Sequence, residues 1–477
     1  MQSLKYFIHL SFIITLLLCS CKVPREAQQK ALLPMPQQYT STPGNDTTNV
    51  ALFTPKHFFS DKYLVNLLDT ALANNWDVHI ALQRIKQAQS DVLMTRGALK
   101  PYVNTAVTPG ITKYGEFTPD AAGNKGTDIY NGTTIPIHLA DFFVGLQTTW
   151  EVDVWNRLKN KNKAALARFL ATQQARHVVL TNLVADLASA YYDLQWYDQS
   201  LKIIDTTIAL QENALSLIKV QKEAAVATEL GVKQFESQLL NLRSLRLETV
   251  QQIAFTENII NALAGRYPQP VLRDTAVFAM LPVMQVKAGI PSQLLQNRPD
   301  IRQAEWEVVA AKADVQSAKA AFYPSFNIVA GMGLQAFKPN LLLNASSVTY
   351  NILGNITAPL INRTAIEAEF SRANALQLEA MYNYQKTIVN GYVEVYNQLL
   401  RINNFQKMFE LKTAEVYALE QSVEISSLLF RSNRATYLEV LFAQQNLLQA
   451  KLQLAEIRKN NLAAFINLYK ALGGGWR

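Results

Sequence analysis

Asp77-Val78-His79-Ile80-Ala81 and Asp300-Ile301-Arg302-Gln303-Ala304 decide the fold, because the second stretch restarts a plan that the first begins. In one ungapped register, Ala88 falls on Ala311, Asp91-Val92 on Asp314-Val315, Ala98 on Ala321, Pro101 on Pro324 and Asn104 on Asn327. Trp155-Asn156-Arg157 then corresponds to Ile361-Asn362-Arg363, and Ala227-Thr228-Glu229-Leu230 to Ala435-Thr436-Tyr437-Leu438. Ala262-Leu263-Ala264-Gly265 corresponds to Ala471-Leu472-Gly473-Gly474. A repeat fixes architecture ahead of any single motif, and one this long is a duplicated domain rather than a solenoid unit.

Each copy reads helix, strand, loop, strand, long helix, turn, long helix. No glycine lies between Leu146 and Leu230, and no proline between Ile137 and Tyr267. Leu180, Leu187, Leu194, Leu201, Ile208 and Leu215 form one heptad row; Leu183, Ala190, Tyr197, Ile204 and Ile218 form a second. A helix from Asn156 to Lys219 would extend about 95 Å. The last helix carries Leu441, Leu448, Ala455, Leu462 and Tyr469 with apolar rows on both flanks, which suits a helix with two neighbours in a helical barrel. Tyr191, Tyr192, Trp196 and Tyr197 lie on a heptad helix and read as packing residues.

Four stretches read as strands: Tyr102–Tyr114, His138–Trp155, Ser325–Phe337 and Ser346–Ile361, the first pair joined by a loop over Gly115–Pro136. Alternation is visible but modest, with Phe143, Gly145, Gln147, Thr149 and Glu151 against Val144, Leu146, Thr148, Trp150 and Val152. A sheet in a bilayer tolerates no open edge, and four strands cannot close a barrel. Closure therefore demands several chains, and three would supply twelve strands.

Lys5 followed by an apolar run over Tyr6–Leu18 is a secretion signal, too short for a membrane span. It ends at Leu18-Cys19-Ser20-Cys21, which resembles a bacterial lipoprotein cleavage box and marks Cys21 as the lipid-attachment residue. Cys19 and Cys21 are the only cysteines, so the mature chain would hold no disulfide and its only covalent group would be that lipid. Residues 22–60, rich in Pro, Gln, Thr and Asn, read as a flexible tether. The formal charge of +8 is dispersed; Lys159, Lys161 and Lys163 form its densest spot and mark a solvated face, not a nucleic-acid site. Five scattered histidines show no metal-ligand spacing, and no phosphate loop or Gly-x-Ser-x-Gly motif occurs, so no cofactor, metal or enzymatic activity is expected.

Three motifs in order carry a resemblance. They are Trp150-Glu151-Val152-Asp153-Val154-Trp155-Asn156-Arg157, the connector Leu294-Leu295-Gln296-Asn297-Arg298-Pro299-Asp300-Ile301-Arg302, and the run from Thr436-Tyr437-Leu438-Glu439 to Leu472-Gly473-Gly474-Gly475-Trp476. Over residues 60–476 the chain resembles the TolC-like outer-membrane factors of tripartite efflux pumps, and within them the lipoprotein branch, the OprM and NodT group. Locally, Asn156 and Asn362 suit left-handed turns from strand to helix. Pro299 holds Arg298 extended and opens a helix, and Gly473–Gly475 releases the chain after its last helix.

The resemblance implies an α+β membrane protein built from a duplicated helix-strand-strand-long helix-helix unit. Its four strands would enter a trimeric 12-stranded outer-membrane β-barrel, continued by a long periplasmic α-helical barrel. Residues 1–20 would be the signal, 21–60 the lipidated tether, 61–270 and 292–477 the two repeats, and 271–291 the connector. The function implied is a passive exit duct for small molecules in an RND-type tripartite efflux system. Its partners would be two further copies of the chain, a periplasmic adaptor, an inner-membrane transporter and outer-membrane lipid. The same channel serving protein secretion or metal export, and a structural periplasmic coiled-coil lipoprotein, are the alternatives. The family closes its tunnel where the helix pairs reverse, near Glu223–Thr228 and Arg431–Thr436. There Glu439 carries over as a gate carboxylate, with Glu229, Arg431 and Arg434 as neighbours able to form ion pairs. Ala225 stands where the family usually has glycine, Gly231 and Asn433 also depart from its pattern, and Phe442 replaces a further acidic position.

Overall fold

The computed structural model describes residues 34–39, 49–130, 133–274, 278, 288–359, 361–432 and 434–477. The signal, Cys21 and Asn433 lie outside the described residues. The chain forms two compact units, each drawing on both repeats: residues 86–169 with 306–381, and residues 31–85 with 170–305 and 382–477. In order, the main elements are α1 (Lys62–Asn74), α2 (Trp76–Gly97), β1 (Tyr102–Thr112), β2 (Leu139–Val152), α3 (Arg157–Glu223) and α4 (Glu229–Leu263). The second repeat follows with α5 (Pro299–Ala320), β3 (Ser325–Ala336), β4 (Val348–Thr357), α6 (Thr364–Arg431) and α7 (Tyr437–Ala471). The predicted strand and helix ends hold to within a few residues. The Gly115–Pro136 loop instead contains a short helix, Pro119–Lys125, opened by Thr118 and a proline, and a two-stranded ladder.

The first unit is an antiparallel sheet in the order β1-β2-β3-β4. Its strands end where an asparagine turns left-handed: Asn156 has φ 59° and Asn362 φ 54°. At the first of these turns the Asp153 carboxylate accepts from the amides of Leu158 (2.9 Å) and Lys159 (2.7 Å), satisfying donors that the start of α3 leaves unpaired. The Trp155 indole donates to the Pro324 carbonyl at 2.8 Å and stacks on Tyr323, so the corner of one repeat is pinned to the matching corner of the other. Val315 and Phe322 pack against Phe370 and Ala373, joining α5 to α6.

The second unit is helical. Asp61 caps α1 through the amides of Tyr63 and Leu64 and also accepts from the buried Tyr191 hydroxyl at 2.8 Å. Leu64, Leu67, Leu68 and Ala71 line one face of α1 and enter a core with Leu187, Tyr191 and Leu194 of α3, Ile260 of α4 and Tyr469 of α7. Each fully buried leucine contributes about 2 kcal/mol, an upper value for a chain already partly collapsed when unfolded. A second core gathers Leu294, Ile301, Val395, Leu399, Phe465 and Leu468. Lower on α3, Ile204, Gln211, Leu215 and Ile218 are buried at heptad spacing, with the Gln211 amide donating to the Phe235 carbonyl of α4.

One expectation changes. The tether is docked where it is described: Tyr39 is 2 % exposed and stacks on Tyr392, Asn49 bridges Ala288, and Phe58 stacks on Tyr469 at 4.1 Å. A Pro- and Gln-rich composition suggests flexibility, but spaced aromatics suffice to fasten such a segment. The terminal glycines end α7 as expected, with the Gly473 amide donating to the Lys470 carbonyl and the Gly474 amide to the Tyr469 carbonyl, and the chain beyond the helix stays docked. Gly473 (φ 89°) packs its Cα side against the Asn297 carbonyl, and Trp476 stacks on His177.

Candidate functional site

Register across all four strands sorts the sheet into two unlike faces. Tyr102 pairs with Thr149, Val144 with Leu334, and Met332 with Tyr350. Carried through, one face bears Val103, Val107, Ile111, Phe142, Val144, Leu146, Trp150, Ile328, Met332, Leu334, Tyr350, Ile352 and Ile356, and no charge. The other bears Asn104, Thr108, Asp141, Gln147, Glu151, Asn327, Gln335, Asn351 and Asn355, interspersed with Tyr102, Leu139, Phe143, Val329 and Leu353. The contrast is clearer across the strands than along any one of them. Within β2 alone, Phe143 sits on the polar face and Thr148 on the apolar one, which blurs the alternation; only the cross-strand partners restore it. Val107, Met332, Tyr350 and Ile352 are each about two-thirds exposed or more, so these positions of the apolar face are left uncovered by the described residues. That is the pattern of a sheet with lipid on one side and water on the other.

Two glycines set the centre of this sheet. A Cβ on Gly145 would lie 2.6 Å from the Gly333 Cα, and one on Gly333 would lie 2.4 Å from the Val144 carbonyl oxygen, with the Phe143 ring covering both. β1 and β4 form its edges, and neither has a further partner among the described residues.

The hairpin tips are the second candidate. At the first, α3 ends in a left-handed residue, Ala225 (φ 62°), whose amide donates to the Lys222 carbonyl while the Val226 amide reaches back to Gln221. Thr228 opens α4 by accepting from the Gly231 amide at 3.3 Å. Of the residues expected to form ion pairs, Glu229 engages one outside that set. Glu229 pairs with Lys222 and stands 4.0 Å from Lys233, not with an arginine, because Lys222 lies directly across the short turn. A hydrogen bond from Lys222, and then its charge, holds the Glu229 carboxyl below its ordinary range. At the second tip Thr436 donates to Glu439 at 3.3 Å, a first-turn contact, and Arg431 and Arg434 make no ion pair among the described residues. The tips adjoin: Gly231 leaves room for Tyr437, and Leu441 packs with Ile218 and Phe235.

The connector motif proves to be an anchor. Arg298, with an 8 % exposed side chain, clasps Asp300 at 3.0 Å, Glu394 at 2.7 Å and the carbonyl of Ala471 at 2.8 Å. It thereby ties α5 and α6 to the electronegative end of α7, and it lies over Gly391, where a Cβ would come within 3.1 Å. Arg273 does the same for the first repeat, with Asp198 at 2.9 Å and Glu257 at 2.6 Å. Sequence reasoning missed both roles, since Glu394 and Ala471 lie far from Arg298 in the chain and Asp198 far from Arg273. Tyr191 and Tyr192 are packed as expected, whereas Trp196 and Tyr197 line a cleft of about 500 Å³ between α3, α4 and α7.

A duplicated chain with a two-faced sheet and heptad helices ending in paired tips defines a membrane-embedded duct component. No helix among the described residues is long and apolar enough to cross a membrane. The outer membrane efflux protein family matches residues 67–266 and 290–474, and the chain belongs to that family. It is 27% identical over 471 residues to the cation efflux system protein CusC of Escherichia coli O6:H1, covering 98% of both chains. It is likewise 27% identical over 466 residues to the solvent efflux pump outer membrane protein SrpC of Pseudomonas putida, covering 97% of each. A crystal structure of CusC superposes with a TM-score of 0.82 at 25% identity, covering 95% of this chain and all of that one. The outer-membrane channel OprN superposes with a TM-score of 0.83 at 20% identity and supports the fold, covering 96% and 100%. The protein is thus an outer-membrane efflux channel component and not an enzyme, and the coiled-coil lipoprotein alternative falls.

Proposed function

We propose that three copies of this chain form a passive exit duct of a tripartite efflux system, anchored by acyl groups on Cys21 and fed through a periplasmic adaptor by an inner-membrane transporter. The single observation that supports this most is the sheet: one uncharged and mainly apolar face, one polar face and two edges left open. An open edge in lipid costs several kcal/mol for each unsatisfied backbone group, and closing it requires strands from other chains. Twelve strands from three chains make a closed wall with a wet interior. Glu439, Arg431, Arg434 and Glu229, all at the tips, are the gating candidates. Small organic molecules are the proposed cargo; metal ions remain the second reading because CusC is named for cation efflux. Native mass spectrometry of detergent-extracted outer membranes tests the assembly. A trimer whose chains carry acyl mass on Cys21 is expected, and a monomer or a lipid-free soluble species would overturn the reading.

A further inference from the structure

The geometry points to Asp141 as the residue that makes the outer end of the barrel favour cations over anions. This inference rests on the closed trimeric duct proposed above. The polar face of the four strands carries only two charged side chains, Asp141 and Glu151, and no lysine or arginine. They sit at opposite ends of β2. Glu151 is neutralised by the Arg157 guanidinium, whose Nε lies 3.0 Å away. Asp141 has a neutral partner: the Gln335 amide donates to both carboxylate oxygens, at 2.9 and 3.0 Å. That contact fixes the carboxylate and leaves its charge uncompensated. On its other side it pairs with Gly110, which has no side chain to cover it.

The surrounding loops carry no net charge to offset it. Lys113, Lys125 and Lys338 are matched in number by Glu116, Asp120 and Asp128. Threefold symmetry would therefore leave a ring of three carboxylates in a water-filled bore walled by protein and lipid, an arrangement that concentrates counter-ions. For three charges about 10 Å from the axis in ~0.1 M salt, Coulomb attraction damped by one Debye length enriches cations and depletes anions about twofold each. The permeability ratio then rises about fourfold. Cargo carrying positive charge would leave more readily than an anion of the same size.

The test is the reversal potential of the purified full-length protein in a planar bilayer under a KCl gradient. Wild type is expected to favour potassium over chloride, and Asp141→Asn, which keeps the hydrogen bond to Gln335, to lower that ratio about fourfold. Asp141→Cys supplies a second handle, because the only native cysteines are Cys19 and Cys21. A sulfonate-bearing thiol reagent on it restores the preference for cations, a quaternary ammonium reagent inverts it, and the wild-type channel responds to neither. Conducting channels whose ratio ignores Asp141→Asn, or responds equally to Glu439→Gln, would overturn the assignment while leaving the duct intact. The absence of any conducting unit would overturn the duct and this inference together.

Discussion

Replacing Ala225 with glycine is expected to stabilise the first hairpin tip by about 0.5–1 kcal/mol. Ala225 holds φ 62°, a left-handed conformation in which a Cβ crowds the following carbonyl and costs about 1–2 kcal/mol. Glycine removes that strain but gains freedom in the unfolded chain, returning about 0.4–1 kcal/mol. The turn's hydrogen bonds are backbone bonds, Val226 N–H to Gln221 at 2.8 Å and Ala227 N–H to Gln221 at 3.2 Å, so glycine preserves them. Amide exchange reads the difference directly. The Val226 and Ala227 amides in Ala225→Gly are expected to exchange about two- to fivefold more slowly, from the Boltzmann factor of that free energy. Ala225→Val, whose branched Cβ fits the left-handed region worse, moves the same amides the other way, and an amide deep in α3 such as Leu194 moves in neither. Faster exchange in the glycine variant would refute the reasoning, because the tip would then be opening along a path that the Ala225 dihedral does not control.

Three further perturbations follow from the same geometry. Arg298→Ala should destabilise the second unit by about 2–3 kcal/mol in a detergent melt, below the 3–5 kcal/mol for a wholly buried pair, because Asp300 and Glu394 can be rehydrated; Arg298→Lys, which loses the paired grip on Asp300, should fall between. The Glu229 carboxyl titrates lower in the folded tip than in the unfolded chain, so its contribution is whole above the ordinary carboxylate range near 4.5 and is lost as pH falls through the depressed value. Protection of the Val226 amide should therefore drop with acid in wild type and stay flat across that window in Glu229→Gln; a flat wild-type profile would count against the pair. Gly333→Ala places a methyl 2.4 Å from the Val144 carbonyl, so trimer yield in outer-membrane fractions should collapse, and a normal yield would show that the β2–β3 pairing is looser than described.

Much of the architecture was legible because duplication and period are carried by local sequence. The absence of glycine and proline, the heptad rows and the asparagine corners all act within a few turns, and the structure keeps each of them. What stayed hidden was held by partners distant in sequence. The partners of Arg298 include Glu394 and Ala471, far along the chain, and the Asp141 carboxylate is held by Gln335 of another strand. The two faces of the sheet were half-visible for the same reason, since Phe143 looks misplaced until Gly145 and Gly333 supply the floor on which its ring lies. At the tips, residue type identified the charges but not their pairing. Lys222, absent from the expected set, is the one that engages Glu229.

The two tips descend from one duplication, yet different chemistry holds them, and the magnitudes limit what either can do alone. The Lys222–Glu229 pair is about half exposed on both sides, so water and salt screen it and it contributes little. The strained Ala225 works against it, at a cost of about 1–2 kcal/mol. At the second tip, a hydroxyl–carboxylate contact between Thr436 and Glu439 adds about 1 kcal/mol at most, and Arg431 and Arg434 draw no ion pair from the described residues. Moving a two-state element from nearly always closed to nearly always open takes about 5.5 kcal/mol of differential binding. The tips' own contacts fall well short of that figure. A gate built on them would have to be held shut, and released, by contacts between chains, with Arg431 and Arg434 as the charges left available for them.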